Sequence, residues 1–188
     1  RVTGRVSEHA GITSLTETRW DDFCNSAALP SATPLSLPWT QNSDLEVLEA
    51  MRVVLTQTLY IIDNHRLGDL AELELSAQKR LLQATQAVQP GITALEWQAA
   101  LARNRLPIVY DHATVNAGVI PYPAPQLSAL NTLRVGDSLA GVIGILHFAN
   151  SHYRLLAGPD LQFTHTNPRT GLPANAQVGT LRIAGFNL

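Results

Sequence analysis

The sequence is nearly without cysteine and lysine, and these two shortages exclude several kinds of protein. Cys24 is the single cysteine, so an internal disulfide and a cysteine-based zinc site are both excluded. We expect Cys24 to be a small buried side chain, or a thiol that pairs elsewhere in a longer parent. Lys79 is the only lysine and the net charge is -2, which argues against a strongly basic module that wraps nucleic acid. Contacts with phosphates must then come from a local cluster of arginines and histidines.

Long apolar runs are also absent. No run approaches the ~20 residues that a membrane-spanning helix needs, and no signal-peptide pattern is present. The chain starts at Arg1 without a methionine, so we expect a mature or excised fragment. Its 188 residues suffice for one domain with a sizeable core, or for one domain plus a piece of another.

The most informative stretch runs from 133 to 157. Residues 139–148 are apolar except for His147, residues 149–151 form a polar break, and residues 152–156 alternate between polar and apolar. This pattern predicts a hairpin with one strand buried on both faces and a half-buried return strand. Gly141 and Gly144 inside the first strand favour a sharp bend, as at the corner of a small closed barrel. The alternative is an ordinary strand of a β-sandwich.

Most of the remaining chain also has strand character. Alternation and β-branched residues predict five more strands, at 1–10, 12–20, 51–62, 70–75 and 107–110. The strand at 51–62 is expected to place Val53, Leu55 and Leu59 in the core. Capping boxes at Ser43 and Thr93 predict short helices over 44–50 and 93–103. Prolines make the stretches 21–40 and 111–126 irregular.

The C-terminal part changes character after 159. Residues 163–177 have the composition of a linker, and 181–186 form a fresh apolar strand with nothing after it to pair. We therefore expect a first domain at 1–159, a linker at 160–180, and the start of a second, truncated domain at 181–188.

Several short segments are informative through their common order and spacing. They are VTGRVSE (2–8) with GIT (11–13), LSLP (35–38), EAMRV (49–53), NTLRVGD (131–137), YRL (153–155), TNPR (166–169) and LRIAGFNL (181–188). Together they resemble the domain that precedes the catalytic domain in secreted bacterial nucleases of the endonuclease/exonuclease/phosphatase superfamily. The last segment is similar to the first strand of that catalytic domain.

The resemblance implies a fold, a location and a division of labour. The fold would be all-β with minor helices, an oligonucleotide/oligosaccharide-binding (OB) five-stranded Greek-key barrel with inserted short helices and long loops. The parent would be an extracellular nuclease that hydrolyses phosphodiesters with Mg²⁺ or another divalent cation. Asn187 would be its first active-site residue. The other acids and histidines of that site are not in this sequence, so the fragment would be inactive alone and would need no cofactor of its own.

A candidate nucleic-acid site lies in the predicted hairpin. OB domains bind single strands by stacking bases on aromatic rings and holding phosphates with cations. The hairpin supplies candidates of both kinds, and the first strand adds two more: His147, Phe148, His152, Tyr153 and Arg154, with Arg5 and His9. His65 and Arg66 are a possible extension. The alternative interpretation is a pair of solvated polar residues beside a core Tyr153 and Phe148.

Other chemistry is poorly supported by the sequence. His147 and His152 have no neighbouring carboxylate, and Asp21-Asp22 lacks the alternating ligands of a calcium loop, so no metal site is predicted. The three tryptophans, Trp20, Trp39 and Trp97, are expected in core or interdomain packing.

Three functions remain open. They are an accessory domain that holds single-stranded DNA for a catalytic domain in the same chain, a structural spacer without a ligand, and an OB module for a carbohydrate or protein.

Overall fold

The computed structural model describes residues 2–9, 11–20, 27–110 and 119–167. Several sequence-based predictions lie outside these residues. They concern Cys24, the Asp21-Asp22 pair, the first half of the loop at 111–126, the strand at 181–186 and Asn187.

Strands dominate the described chain. In order they are β1 (Val2–His9), β2 (Ile12–Trp20), β3 (Thr33–Pro34), β4 (Arg52–Leu55), β5 (Leu59–Asp63), β6 (Glu72–Ser76), β7 (Leu106–Tyr110), β8 (Ser138–Leu139), β9 (Val142–Ala149), β10 (His152–Ala157) and β11 (Phe163–Thr164). The helices are α1 (Ser43–Glu46), α2 (Leu67–Leu70), α3 (Ala84–Ala87) and α4 (Ile92–Ala102). A mostly β chain with a few short helices was predicted and is confirmed.

The strands form two separate sheets. β1 and β2 pair as an antiparallel hairpin, as predicted. The other strands form one nine-stranded sheet of order β11-β8-β5-β6-β7-β10-β9-β4-β3. The pairs β7–β10 and β3–β4 are parallel, and every other pair in this sheet is antiparallel.

The large sheet is curled into a half-barrel. β4 and β5 are separated by only three residues, 56–58, yet four strands lie between them in the sheet. A flat sheet would hold them about 24 Å apart at ~4.8 Å per strand. The chain from Leu55 to Leu59 reaches at most ~14 Å. The sheet must therefore bend until its β4 and β5 sides approach each other.

Two expectations need correction here. The single strand predicted over 51–62 is two strands, because the side-chain amide of Gln57 bonds the backbone N–H and carbonyl of Leu37 at the interruption. The closed five-stranded barrel is also not what forms. β8 occupies the free edge of β5 and β3 occupies that of β4, so the curled sheet stays open with nine strands.

The core lies on the concave side of the half-barrel. Its fully buried members alternate along the strands, and they include Val53, Leu55 and Leu59, as predicted. Further members come from strands across the sheet: Ile61, Leu73, Leu75, Leu106, Ile108, Leu146 and Leu155. This alternation leaves every second residue of β6 and β10 on the convex side.

The predicted hairpin at 139–156 is confirmed as β9 and β10. Asn150 and Ser151 form its two-residue turn, and both have positive φ, 53° and 65°, as the favoured tight hairpin turns require. The first strand starts later than predicted, since Gly141 (φ 68°) separates it from β8. It is also only half-buried, because Ile143 and Ile145 are exposed on the convex side.

Both predicted capping boxes are wrong. α1 begins after Asn42 and α4 after Gly91, and neither helix has a side-chain cap. The Asp44 carboxylate instead accepts hydrogen bonds from the N–H groups of Thr40 and Gln41, upstream of the helix. A reciprocal box forms at α3, between Gln83 and Gln86. No described helix has the length and apolar character required to cross a membrane.

Candidate functional site

A cleft of about 810 Å³ opens at the turn end of the β9–β10 hairpin, where side chains from both faces of the sheet line it. It lies between β6, β7, the turn of the β9–β10 hairpin, α1 and the end of α4. Its lining combines aromatic, apolar, acidic and basic side chains, among them Trp39, Leu45, Glu46, Glu72, Glu74, Ala102, Arg105, Pro107, Phe148, Ser151, His152 and Tyr153. Such a mixture of apolar surface and convergent polar groups is typical of a binding site.

The alternation of β6 explains why carboxylates line the cleft. Leu73 and Leu75 point into the core, so Glu72 and Glu74 point outward. Pro107 of β7 pairs directly with Glu74 across the ladder. The sheet surface under the cleft is therefore built from acidic side chains and one proline ring.

An aromatic pair forms one wall of the cleft. Tyr153 and Phe148 are opposite each other in the β9–β10 ladder, with ring centroids 5.0 Å apart and planes tilted by 59°. The Tyr153 hydroxyl donates a 2.5 Å hydrogen bond to a carboxylate oxygen of Glu46. Burial, and after it this hydrogen bond, raises the pKa of the Tyr153 phenol above its usual value. Tyr153 is therefore a neutral, fixed donor at physiological pH.

Arg154 is held in place by two neighbours. It donates to Nε2 of His152 over 2.9 Å, while Nδ1 of His152 lies 2.9 Å from the Asn150 carbonyl. Only a neutral imidazole with its proton on Nδ1 satisfies both bonds. The Arg154 guanidinium also lies 3.9 Å from Glu72, and only 14% of its side chain is exposed. This arginine is positioned, but it already has an anionic partner.

The other two arginines near the cleft are paired in the same way. Arg66 lies 4.0 Å from Glu72, and Arg105 lies 3.0 Å from Glu74. Burial raises the pKa of the Glu74 carboxyl, against the opposing effect of Arg105. The positive charge around the cleft is therefore largely compensated by carboxylates that line it.

The structure brings three of the six predicted nucleic-acid-binding residues, His147, His152 and Arg154, to one face of the β9–β10 hairpin, while Tyr153 points to the opposite face. His152, Tyr153 and Arg154 follow one another on β10, and His147 is opposite Arg154 in the ladder. Of these four, His152 and Tyr153 line the cleft. The aromatic Phe148, which was predicted beside them, lines it too.

Arg5 and His9 lie elsewhere, on the exposed β1 strand of the separate hairpin. This hairpin touches the main body near its turn, where Gly11 lies against the Phe148 ring and the Thr13 N–H donates to Glu49. His9 directly precedes that turn in the sequence, and Arg5 lies four residues before His9. Neither residue lines the cleft.

The possible extension at His65 and Arg66 lies in a neighbouring hollow. That hollow is lined by Asp63, His65, Arg66, Glu72, Glu74 and Pro107. It shares Glu72, Glu74 and Pro107 with the cleft, so the two surfaces are continuous. His65 itself is tied to Asp63, whose carboxylate accepts from its backbone N–H and lies 3.1 Å from its ring.

Two of the three tryptophans lie outside the core. Trp20 is 64% exposed on β2 and Trp97 is 40% exposed on α4. Trp39 is partly buried and lines the cleft, with its indole N–H bonded to Asn42. Packing in the core, one of the two roles expected, is therefore wrong for Trp20 and Trp97, because the elements that carry them lie at the periphery of the half-barrel. Interdomain packing, the other expected role, stays a prediction.

The sequence-based prediction missed part of the lining. Glu72 and Glu74 were detectable as the outward positions of an alternating strand. Trp39 and Arg105 were not, since they come from irregular segments and reach the cleft only through the tertiary fold.

The described residues contain no group of three or more His, Cys, Asp or Glu side chains placed to hold a metal ion. The groups that the cleft offers are aromatic rings, carboxylates and arginines paired with those carboxylates. Comparisons with models of protein families, with curated proteins and with solved structures found no match for this chain.

Proposed function

We propose that this chain is an OB-like accessory domain of a secreted metal-dependent nuclease, and that its cleft holds single-stranded nucleic acid. The strand order supports the fold assignment. If β4 and β5 are the two halves of one bent strand, the order β5-β6-β7-β10-β9-β4 corresponds to 1-2-3-5-4-1. This is a Greek key, and the OB fold is a partly open Greek-key barrel.

The position of the cleft is the observation that carries the proposal. OB domains bind oligonucleotides on the face of strands 2 and 3, next to the loops that connect strands 1 with 2 and 4 with 5. In the correspondence above, strands 2 and 3 are β6 and β7, and the 4–5 loop is the Asn150-Ser151 turn. Glu72, Glu74, Pro107 and Ser151 line the cleft at this place.

The lining favours bases over phosphates as the main points of contact. Trp39, Phe148 and Tyr153 offer aromatic surface, and each stacked base contributes ~1–3 kcal/mol. Arg105 and Arg154 already pair with carboxylates, so few counterions would be released on binding. We therefore expect weak binding with a shallow dependence on salt.

Hydrolysis is assigned to the parent protein and not to this cleft. A following domain, which would begin near 181 and include Asn187, would supply the divalent cation and the catalytic groups. The cation would activate water or stabilise the charge that develops at phosphorus. The described residues would contribute substrate binding alone, and no step through a metal is derived for them.

A structural spacer is the second candidate, and one observation favours it. Arg66, Arg105 and Arg154 each lie within 4.0 Å of Glu72 or Glu74, so two of their three positive charges are compensated. A domain without an anionic ligand would tolerate this arrangement. A spacer would show no affinity for oligonucleotides. Its removal from the parent would lower stability and leave substrate affinity unchanged.

A titration of a fluorescently labelled single-stranded oligonucleotide at low salt separates the two candidates. We expect anisotropy to rise with protein concentration, and His152→Glu at the rim of the cleft to weaken binding by ~5-fold, about 1 kcal/mol. Gln162→Glu is the matched control, because it adds the same charge at an exposed position outside the cleft. A flat titration, or equal loss in both variants, would overturn the proposal.

A further inference from the structure

One carboxylate of the cleft, that of Glu46, differs from the others in its partners. Glu72 and Glu74 both lie beside arginines. Glu46 is exposed at the end of α1, and no arginine, lysine or histidine of the described residues forms an ion pair with it. Its side chain accepts a hydrogen bond from the Tyr153 hydroxyl over 2.5 Å. Glu46 therefore brings an uncompensated negative charge to the cleft.

This charge matters for a cleft that takes a nucleic acid strand. An uncompensated carboxylate repels the phosphates and weakens binding, unless it forms hydrogen bonds with the ligand itself. The donors of a DNA strand lie on its bases, and unstacked bases are recognised through their Watson–Crick edges. A carboxylate beside aromatic rings is therefore placed to bind a base.

The Tyr153 hydroxyl holds this carboxylate in a fixed direction. A carboxylate can accept about four hydrogen bonds, and Tyr153 uses one of these positions. Both oxygens of Glu46 can still accept, so the side chain can take two parallel hydrogen bonds from one ligand. Trp39 and Phe148 line the same cleft and offer rings on which the bound base can stack.

We propose that Glu46 makes the cleft selective for guanine, an inference that rests on the proposed binding of single strands there. The Watson–Crick edge of guanine has two adjacent donors, N1–H and the N2 amino group, which match the two oxygens of one carboxylate. Adenine and cytosine have an acceptor nitrogen beside their amino group, and thymine has one N–H between two carbonyl oxygens. Each of these three bases would set an acceptor against the second oxygen of Glu46.

Competition for a labelled thymine strand, followed by anisotropy, tests this selectivity. The competitors are strands of about seven nucleotides, within the site size of one OB domain. They are all thymine except at the centre, which is guanine, adenine, cytosine, thymine or hypoxanthine. We expect the guanine strand to bind about 10-fold more tightly than the thymine strand. Hypoxanthine keeps N1–H but lacks the N2 amino group, so its strand should lose most of that gain.

Glu46→Gln tests whether this residue is the origin of the preference. Glutamine keeps an oxygen for the Tyr153 hydroxyl, but its NH₂ group replaces the second acceptor. We expect the preference for guanine to fall below ~2-fold, and the thymine strand to bind slightly more tightly because a negative charge is removed. Glu96→Gln is the matched control, since it removes the same charge at an exposed position of α4 outside the cleft. It should keep the full preference.

The outcomes separate this selectivity from the binding function on which it rests. Equal affinity for all the strands, or a guanine preference that survives Glu46→Gln, would overturn the role of Glu46 and leave binding in the cleft standing. A preference that Glu96→Gln also abolishes would come from net charge and would overturn that role too. If no strand binds at all, both the selectivity and the proposed function are refuted.

Discussion

Gly144→Ala tests whether the curled sheet depends on a close approach of two strands. Gly144 is opposite Ala157 in the β9–β10 ladder. A methyl group at this position would lie 2.5 Å from the Leu156 carbonyl oxygen and 2.6 Å from Cγ of Leu155. The ladder fixes the carbonyl oxygen, so it cannot rotate away as a flexible side chain would. β9 and β10 would have to separate locally.

The expected cost follows from overpacking. Extra carbon atoms in a well-packed region cost about 1–3 kcal/mol, and we expect the upper part of this range because a backbone atom is involved. A loss of ~2–3 kcal/mol in a chain of this size lowers Tm by ~4–12 °C. Thermal and urea unfolding followed by circular dichroism measure both quantities.

Two other glycines provide controls in the same experiment. Gly158 has no atom within 4 Å of an added methyl group and no positive φ, so Gly158→Ala should change stability by less than ~0.5 kcal/mol. Gly141 also has open space but a φ of 68°, so Gly141→Ala should cost ~1 kcal/mol through its backbone alone. Wild-type stability of Gly144→Ala, or a loss no greater than that of Gly158→Ala, would refute the steric reasoning.

The double variant Glu72→Gln with Glu74→Gln should bind single-stranded oligonucleotides more tightly and with a steeper salt dependence, because the arginines that pair with these carboxylates become available to phosphates. Unchanged affinity in anisotropy titrations at several salt concentrations would exclude a role for those cations. The raised pKa of Tyr153 stabilises the fold below pH ~10, and this contribution is lost as pH rises towards the folded-state pKa, so Tyr153→Phe should lose less stability between about pH 9 and pH 11 than the wild type. Urea unfolding at the two pH values measures the difference, and equal losses would contradict it. Asp137→Asn should lower the free energy of unfolding by ~2–3 kcal/mol, because this fully buried carboxylate accepts two backbone N–H bonds and contacts a histidine ring, while the exposed control Asp160→Asn should have little effect.

Local patterns predicted the β9–β10 hairpin and the inward positions of β4, β5 and β6. These patterns are set by residues that are neighbours in the sequence, so tertiary contacts do not change them. The break between β4 and β5 could not be predicted in this way, because it depends on Gln57 bonding Leu37, 20 residues away. The two-residue strands β3, β8 and β11 have no periodicity of their own, since only their pairing partners define them. These short strands are also why the sheet has nine members instead of five.

The candidate site was predictable only where one hairpin supplies it. The turn that the sequence itself indicates brings His147, His152 and Arg154 to one face of the hairpin and leaves Tyr153 on the other. The pairing of the Arg154 charge with the Glu72 carboxylate was not predictable from the sequence. It requires β10 and β6 to lie on either side of β7. The sequence predicted both base stacking and phosphate contacts, and the pairing of Arg154 with Glu72 favours stacking in the function that we propose.

An NMR titration of the ¹⁵N-labelled chain with a short single-stranded oligonucleotide tests the central claim most directly. We expect amide shifts to change at the cleft, at Glu72, Glu74, Ser151, His152 and Tyr153, while the convex face of β9 around Ile143 stays unchanged. An unchanged spectrum at millimolar oligonucleotide, or shifts confined to the β1–β2 hairpin, would contradict nucleic-acid binding in the cleft.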